Sequence, residues 1–173
     1  MDLKSRIRNV PDFPKQGIVF RDITTLLEDA EAFRAAVDAL EKLLAGRPVE
    51  KVVCVESRGF LFGAPLALRL GCGLVPLRKP GKLPAETIRE TYSLEYGTDA
   101  IEMHRGAVKK GERVVIVDDL LATGGTAAAA ARLVESAGGR VACMLFLVEL
   151  AFLGGREKLK DREVLAAVRY DSE

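Results

Sequence analysis

The chain has 173 residues, of which 49% are hydrophobic and 29% charged, and its net charge is +1 at neutral pH. This length is sufficient for one hydrophobic core, and we predict a single domain over residues 1–173. The small net charge argues against a general nucleic-acid or membrane-surface binder, because both need an excess of basic residues.

The number and spacing of cysteines and histidines, and the length of the apolar runs, argue against several further classes of protein. Three scattered cysteines without a CxxC pair, and a single histidine, argue against a zinc site or a disulfide framework and fit a reducing compartment. The longest apolar run, VACMLFLVELAFL, is too short for a membrane span and contains a glutamate. The first ten residues are charged and lack the apolar core of a signal peptide. We expect a cytoplasmic protein.

The first predicted element in chain order is an amphipathic helix in EDAEAFRAAVDALEKLLAG (28–46). Its apolar residues recur at spacings of four and three, Asp29 can cap its start, and Gly46 can end it. Strands and helices then alternate, with strands at KVVCVE (51–56), GLVPL (73–77), RVVIVDD (113–119), RVACMLFLVEL (140–150) and REVLAAVRY (162–170), and helices at FGAPLALRL (62–70) and GTAAAAARLVESAGG (125–139). This alternation predicts an α/β fold whose mainly parallel sheet is flanked by helices.

Residues 78–105 interrupt the alternation. They contain prolines, glycines and mixed charges without sustained periodicity, although TYSLEYG (91–97) could form a hairpin. An excursion of this length inside one domain is usually functional or disordered. Ligands of parallel sheets bind beyond the carboxyl ends of the strands, where VESRGFLFG and VDDLLATGG lie.

The segment VVIVDDLLATGGT (114–126) joins a strand to a helix and carries the clearest chemistry. Gly124 and Gly125 permit positive φ, so successive backbone N–H groups can point to one centre. The next helix adds unpaired N–H groups and the positive end of its dipole, and Thr123 and Thr126 add hydroxyls. We predict a site for one phosphate group, although the same sequence could also form a plain helix N-cap after a glycine turn.

Asp118 and Asp119 favour the phosphate site. Adjacent carboxylates repel each other and are unfavourable when buried, so they need hydroxyl donors, cations or water. A ligand that carries both a phosphate and vicinal hydroxyls is a ribose phosphate. The sequence has no GxxxxGK[ST], no GxGxxG after a strand and no GxSxG, which argues against a P-loop NTPase, a dinucleotide-binding protein and a serine hydrolase.

The same segment resembles the phosphoribosyl-pyrophosphate signature of the type I phosphoribosyltransferases. Further blocks resemble the branch of that family that acts on adenine, in the family's order: VFRDIT (19–24), ESRGFLFG (56–63), RKPGKLP (78–84), YSLEYG (92–97) and, near the end, LVEL and GREKL. The resemblance covers residues 11 to 159. It implies a small N-terminal hood for the base within residues 1–30 and a flexible lid within residues 78–105.

The resemblance implies a reaction, a cofactor and an assembly. Phosphoribosyl would be transferred from 5-phosphoribosyl-1-pyrophosphate to adenine, giving AMP and pyrophosphate in purine salvage. Mg²⁺ would be bound mainly through substrate and water, without direct protein ligands. The family is typically homodimeric, and no nucleic-acid or membrane partner is implied.

The resemblance also implies which residues contact each part of the substrates. Asp118 and Asp119 would bind the ribose hydroxyls and stabilise the positive charge that develops at C1′. The 5′-phosphate would be bound by Ala122, Thr123, Gly124, Gly125 and Thr126. Pyrophosphate would be bound by Ser57, Arg58, Gly59, Arg78, Lys79 and Lys82. Adenine would contact the backbone of Val19 and Arg21 and lie between Phe20 and Leu120.

Two catalytic roles are expected in the lid. Glu95 is the candidate for proton handling at adenine N7, and Tyr96 for packing and hydrogen bonding near the leaving group. A closed lid would keep water from the reacting centre. Glu95 could instead be a solvated loop acid, Phe20 a core residue and Arg58 a surface ion pair, and His104 is expected at the surface.

Two other functions fit the same resemblance. The enzyme could act on another purine base, such as hypoxanthine, guanine or xanthine. Alternatively, the protein could be a non-catalytic regulator that senses phosphoribosyl pyrophosphate. A regulator would be expected to carry an added DNA-binding domain or a basic face, which this sequence does not show, and the sequence keeps the lid.

Overall fold

The protein folds into nine strands and four helices over the residues described by this computed structural model, 1–94 and 97–173. The strands are β1 (Arg8–Val10), β2 (Phe20–Asp22), β3 (Lys51–Val55), β4 (Gly73–Leu77), β5 (Thr87–Ser93), β6 (Thr98–His104), β7 (Arg113–Leu121), β8 (Arg140–Leu150) and β9 (Val164–Tyr170). The helices are α1 (Thr24–Glu28), α2 (Ala30–Leu43), α3 (Gly59–Leu70) and α4 (Gly125–Ser136). Short 3-10 turns lie at Lys4–Arg6, Ala151–Leu153 and Gly155–Leu159.

A five-stranded parallel sheet in the order β4-β3-β7-β8-β9 forms the centre of the fold. Side chains alternate along β7: Val114 and Ile116 pack with α4 on one face, while Val115 and Val117 pack with α2 and α3 on the other. Both faces are covered, which explains why the strand is a continuous apolar run. The predicted class, a parallel sheet flanked by helices, is confirmed.

The helix predicted within residues 28–46 is α2. The Asp29 carboxylate accepts hydrogen bonds from the backbone N–H groups of Glu31 and Ala32, as the capping prediction required. The helix ends at Leu43, and Gly46 lies in the following turn with φ +77°. The helix predicted at residues 62–70 is confirmed as α3 but begins three residues earlier, at Gly59.

Residues 78–105 are more regular than their sequence indicates. Strands β5 and β6 form an antiparallel hairpin that pairs from Thr87 with His104 to Ser93 with Thr98. The hairpin predicted at TYSLEYG is therefore confirmed, and its strands extend well beyond that segment in both directions. The pattern was hidden because β5 buries little besides Tyr92, so apolar and polar residues do not alternate clearly along it.

A two-stranded antiparallel ribbon of β1 and β2 lies apart from the main sheet and contains the central residues of VFRDIT, Phe20–Asp22. Among the residues that the structure describes, no helix has both the length and the apolar character that crossing a membrane requires.

Candidate active site

A crevice opens where β3 ends beside β7. The two strands pair only as far as Cys54 with Val117, whereas β7 continues along β8 to Leu121. Residues 118–121 therefore have no strand neighbour on the β3 side. The chain leaves β3 towards β4 and leaves β7 towards β8, in opposite directions, so this crevice is the topological switch point at which ligands of parallel sheets bind.

The loop between β7 and α4 lines one side of the crevice. Gly124 has φ +80°, and α4 begins at the next residue. The free N–H groups of the first helical turn therefore border a cavity of about 490 Å³. All five residues predicted to bind the 5′-phosphate, 122 to 126, line this cavity together with Asp118 and Leu120.

A second cavity of about 350 Å³ adjoins the first. Ser57, Arg58, Lys79 and Asp119 line it, and Asp118, Leu120 and Thr126 line both cavities. The two cavities are thus parts of one crevice, with an anion loop on one side, cations on the other and two carboxylates between them. A sugar that carries a phosphate at one end and a larger anion at the other fits this order.

The two carboxylates have unequal environments. The Asp119 side chain is buried and forms a 2.6 Å ion pair with Nε of Arg58. Burial raises the pKa of Asp118 well above its usual value, and the neighbouring negative charge of Asp119 raises it further. The backbone N–H of Asp119 donates to Asp118 Oδ1 at 2.8 Å and partly offsets this effect. Negative charge on both carboxylates is therefore unfavourable in the empty site, and a ligand with hydroxyl donors would stabilise it.

Replacing Asp118 by Asn is expected to stabilise the fold at neutral pH. A carboxyl whose folded pKa is raised loses stability as the pH rises from its unfolded pKa, about 4, through its folded pKa, and an amide has no such loss. We expect Asp118→Asn to unfold about 2–8 °C higher than the wild type at pH 7.5, equivalent to about 1–2 kcal/mol, with the difference vanishing near pH 4. Thermal unfolding at both pH values measures this.

Asp99→Asn is the control of opposite sign. A hydrogen bond from Lys79 lowers the pKa of Asp99, so its charged form stabilises the fold above the unfolded pKa, and that contribution is lost as the pH falls through the folded pKa. The Asp99→Asn protein should unfold at a lower temperature than the wild type at pH 7.5. If the Asp118→Asn protein is less stable than the wild type at that pH, the ionised Asp118 carboxylate does not destabilise the fold.

Glu56 organises the cations predicted to bind pyrophosphate. It accepts from Nε of Arg78 at 3.2 Å and from the backbone N–H of Lys79 at 2.8 Å, and it pairs with Nζ of Lys82. Burial opposes its ionisation, but these three donors outweigh that effect and hold its pKa at about 2. Lys79 and Glu56 line the crevice, whereas Arg78 and Lys82 pair with Glu56 and are not among the lining residues.

Gly59 permits the close approach of α3 to β7. A Cβ atom at Gly59 would lie 2.9 Å from the carbonyl oxygen of Val117 and 3.0 Å from Oδ1 of Asp118. Only glycine therefore lets the start of α3 lie against the carboxylate pair. Its backbone adjoins the crevice, but Gly59 does not itself line either cavity.

The base-recognition segment meets the crevice through Phe20. The guanidinium of Arg58 lies 5.6 Å from the centre of the Phe20 ring, and Phe13 packs edge-on against that ring at 5.2 Å. The Arg21 side chain points the other way, onto the Tyr170 ring at 4.1 Å and to Oδ1 of Asn9 at 2.6 Å. Only the backbone of Arg21 is therefore available for a base, and Val19, Phe20 and Arg21 line neither cavity.

Tyr92 is a connecting residue that the sequence did not indicate. Its hydroxyl lies 3.2 Å from Thr126 Oγ1, 3.2 Å from an oxygen of Asp99 and 3.3 Å from Nζ of Lys79. The β5–β6 hairpin is thus bonded to both sides of the crevice. Lys158 also lines the phosphate cavity and was missed, although GREKL belongs to the resemblance.

Two further predictions concern the lid and its surroundings. Glu95 and Tyr96 lie outside the described residues. His104 is partly buried and accepts a hydrogen bond from the backbone N–H of Ala85 at 3.3 Å, away from the crevice. Within residues 1–94 and 97–173, no group of three or more His, Cys, Asp or Glu side chains is placed to hold a metal ion.

A phosphate loop at a switch point, two carboxylates near the end of β7 and cations after β3 define the class of the phosphoribosyltransferases. The "Phosphoribosyl transferase domain" family matches residues 24–167. The adenine phosphoribosyltransferase of Caldanaerobacter subterraneus subsp. tengcongensis is 58% identical over 169 residues, with 98% of each chain covered.

Solved structures agree. The adenine phosphoribosyltransferase of Thermoanaerobacter pseudethanolicus superimposes with a TM-score of 0.95 at 57% identity, covering 98% of each chain. That of Saccharomyces cerevisiae, solved with an imino-altritol bisphosphate and adenine, gives a TM-score of 0.90 at 43% identity, covering 96% of each. The chain belongs to the phosphoribosyltransferase family, on its adenine phosphoribosyltransferase branch.

Proposed function

We propose that the protein transfers the phosphoribosyl group of 5-phosphoribosyl-1-pyrophosphate to adenine, giving AMP and pyrophosphate for purine salvage. The observation that carries this proposal is the single crevice in which Asp118 and Asp119 lie between a phosphate loop and a cationic wall. The adenine in the yeast relative's structure supports the choice of base.

The carboxylates of Asp118 and Asp119 act on the ribose. They accept hydrogen bonds from its 2′- and 3′-hydroxyls and stabilise the positive charge that develops at C1′ as the bond to pyrophosphate breaks. The Asp118–Asp119 repulsion makes the empty site electrostatically unfavourable, so the positive charge that grows at C1′ is favoured more than the uncharged C1′ of the bound substrate. This preference for the transition state is what accelerates a reaction.

Pyrophosphate leaves towards the wall formed by Ser57, Arg58 and Lys79. The backbone of Gly59 adjoins this wall, and Arg78 and Lys82 are paired with Glu56. Arg58 is paired with Asp119 before substrate binds, and a pyrophosphate oxygen can replace that partner. Mg²⁺, held by substrate oxygens and water, would neutralise charge on the leaving group.

Adenine lies at the Phe20 end of the crevice. The backbone groups of Val19 and Arg21 accept and donate along the Watson–Crick edge, while Phe20 and Leu120 cover the ring faces. A keto purine presents the opposite donor and acceptor polarity and would leave buried polar groups unpaired, which is costly. Glu95 handles the proton at N7 and Tyr96 packs near the leaving group, in the role of a lid over the reacting centre.

The assembly proposed is a homodimer. The outer face of α3 exposes Leu61 and Leu68, with Leu68 84% accessible, and the adjacent edge strand β4 exposes Leu74. Such an apolar face is typical of a surface that another protein copy covers. A cytoplasmic location is proposed as well, and the free thiols of Cys54, Cys72 and Cys143 fit its reducing conditions.

Product analysis tests the function. The purified protein, supplied with 5-phosphoribosyl-1-pyrophosphate, Mg²⁺ and adenine, should form AMP and pyrophosphate in equal amounts. Binding of phosphoribosyl pyrophosphate without any AMP would instead support the regulator. Formation of a nucleotide from hypoxanthine, guanine or xanthine, without formation of AMP from adenine, would show that the enzyme acts on a different base.

A further inference from the structure

The phosphate cavity has an unbalanced charge. Among the described residues that line it, the only ionisable side chains are Asp118 and Lys158. A phosphate monoester carries close to two negative charges at neutral pH. If the proposed function holds, that charge lies close to the two carboxylates of residues 118 and 119. Without Lys158, only backbone N–H groups and hydroxyls would offset the repulsion between the phosphate and these carboxylates.

Lys158 is carried by a turn that fits directly against the phosphate loop. A Cβ atom on Gly155 would lie 2.2 Å from the carbonyl oxygen of Ala122, and one on Gly124 would lie 2.4 Å from the carbonyl oxygen of Gly155. The two backbones are therefore in direct contact. Lys158 follows in the same turn, Gly155–Leu159, whose last residue is buried in the core.

An ion pair between the partly exposed Arg156 and the buried Glu149 fixes this turn to the sheet. Nε and Nη2 of Arg156 donate to the two carboxylate oxygens of Glu149 at 2.6 and 2.8 Å, and Nη1 donates to the Val164 carbonyl at 2.9 Å. Glu149 is buried in β8 opposite Leu121 of β7, immediately before the phosphate loop. The turn and the loop are thus anchored to the same pair of strands.

Lys158 differs from the other cations near the cavity. Arg132 pairs with Glu90, Lys79 with Asp99 and Lys160 with Glu157. Lys158 is exposed and has no hydrogen bond or ion pair with any residue in the described part of the chain. It therefore has an ammonium group at the cavity wall that no described carboxylate neutralises.

We propose that Lys158 is a substrate-binding residue that pairs with the 5′-phosphate of phosphoribosyl pyrophosphate and of AMP. The turn holds the lysine beside the loop, and the flexible side chain lets the ammonium follow the phosphate as it enters and leaves. This inference rests on the proposed function and adds a side-chain charge to a site otherwise made of backbone donors and hydroxyls.

Calorimetric binding of AMP to the full-length protein tests the proposal. Lys158→Met is expected to weaken AMP binding about 10- to 100-fold, the range expected for one charge-assisted hydrogen bond. The KM for phosphoribosyl pyrophosphate should rise by a similar factor while the KM for adenine stays within about twofold. Lys158→Arg should keep AMP binding within about threefold of the wild type.

Lys160→Met is the matched control, because Lys160 lies two residues away, is also exposed and pairs with Glu157 rather than facing the cavity. It should bind AMP like the wild type, and all variants should unfold at the wild-type temperature. Equal AMP affinity of Lys158→Met and the wild type would overturn the role of Lys158 alone. A wild-type protein that does not bind AMP would overturn the proposed function and this role with it.

Discussion

Asp119→Asn is expected to lower kcat about 100- to 1000-fold while changing the Kd for phosphoribosyl pyrophosphate less than about tenfold. The amide keeps the shape of the side chain but cannot stabilise positive charge at C1′, and loss of one well-placed electrostatic group has effects of this size. Because Arg58 also loses its 2.6 Å partner, it becomes free to bind pyrophosphate, which would offset part of any loss in affinity. Single-turnover kinetics and direct binding separate the two quantities.

Asp161→Asn is a suitable control, because Asp161 is an exposed acid in the turn that precedes β9. Its kcat and its affinity for substrate should match those of the wild type. Near-normal turnover in Asp119→Asn would remove the carboxylate from the chemical step. An equal loss in affinity and turnover would assign it to ground-state binding instead.

Gly155→Ala is expected to raise the KM for phosphoribosyl pyrophosphate about tenfold or more. The added Cβ would overlap the Ala122 carbonyl at 2.2 Å, and because both atoms belong to backbone or are fixed to it, no side-chain rotation relieves the contact. The phosphate loop must move, and overpacking of this kind also costs about 1–3 kcal/mol of stability. The KM and the unfolding temperature report the two effects.

Gly154→Ala separates loop displacement from general destabilisation. Gly154 has φ +66°, so alanine there costs about 1–2 kcal/mol through the left-handed backbone, but the nearest atom to its Cβ is Glu157 Cγ at 3.9 Å. This variant should lose stability and keep its KM. If Gly155→Ala also keeps the wild-type KM, the turn does not position the phosphate loop.

The parts of the site that could be predicted from sequence are continuous in the chain. The strand β7, the two carboxylates, the glycine turn and α4 follow one another without interruption, so local rules for strands, turns and helix N-termini describe the phosphate side directly. The Asp29 cap was predictable for the same reason, since donor and acceptor are two or three residues apart.

The parts that could not be predicted depend on contacts between distant segments. Nothing near Gly155 in the chain indicates that it packs against Ala122, and nothing near Tyr92 indicates that its hydroxyl reaches Thr126. The role of Glu56 could not be predicted from ESRGFLFG, because a carboxylate beside a pyrophosphate site is unfavourable without the three donors that other segments supply. These contacts arise from the sheet order, which periodicity does not specify.

Selectivity between adenine and keto purines is the most direct test of the proposed activity. Pyrophosphate release should be measured with adenine, hypoxanthine, guanine and xanthine, each with phosphoribosyl pyrophosphate and Mg²⁺. We expect a kcat/KM for adenine at least about 100-fold above that for any keto purine, since those bases would leave buried backbone groups unpaired. A keto purine used as well as adenine, or better, would contradict it.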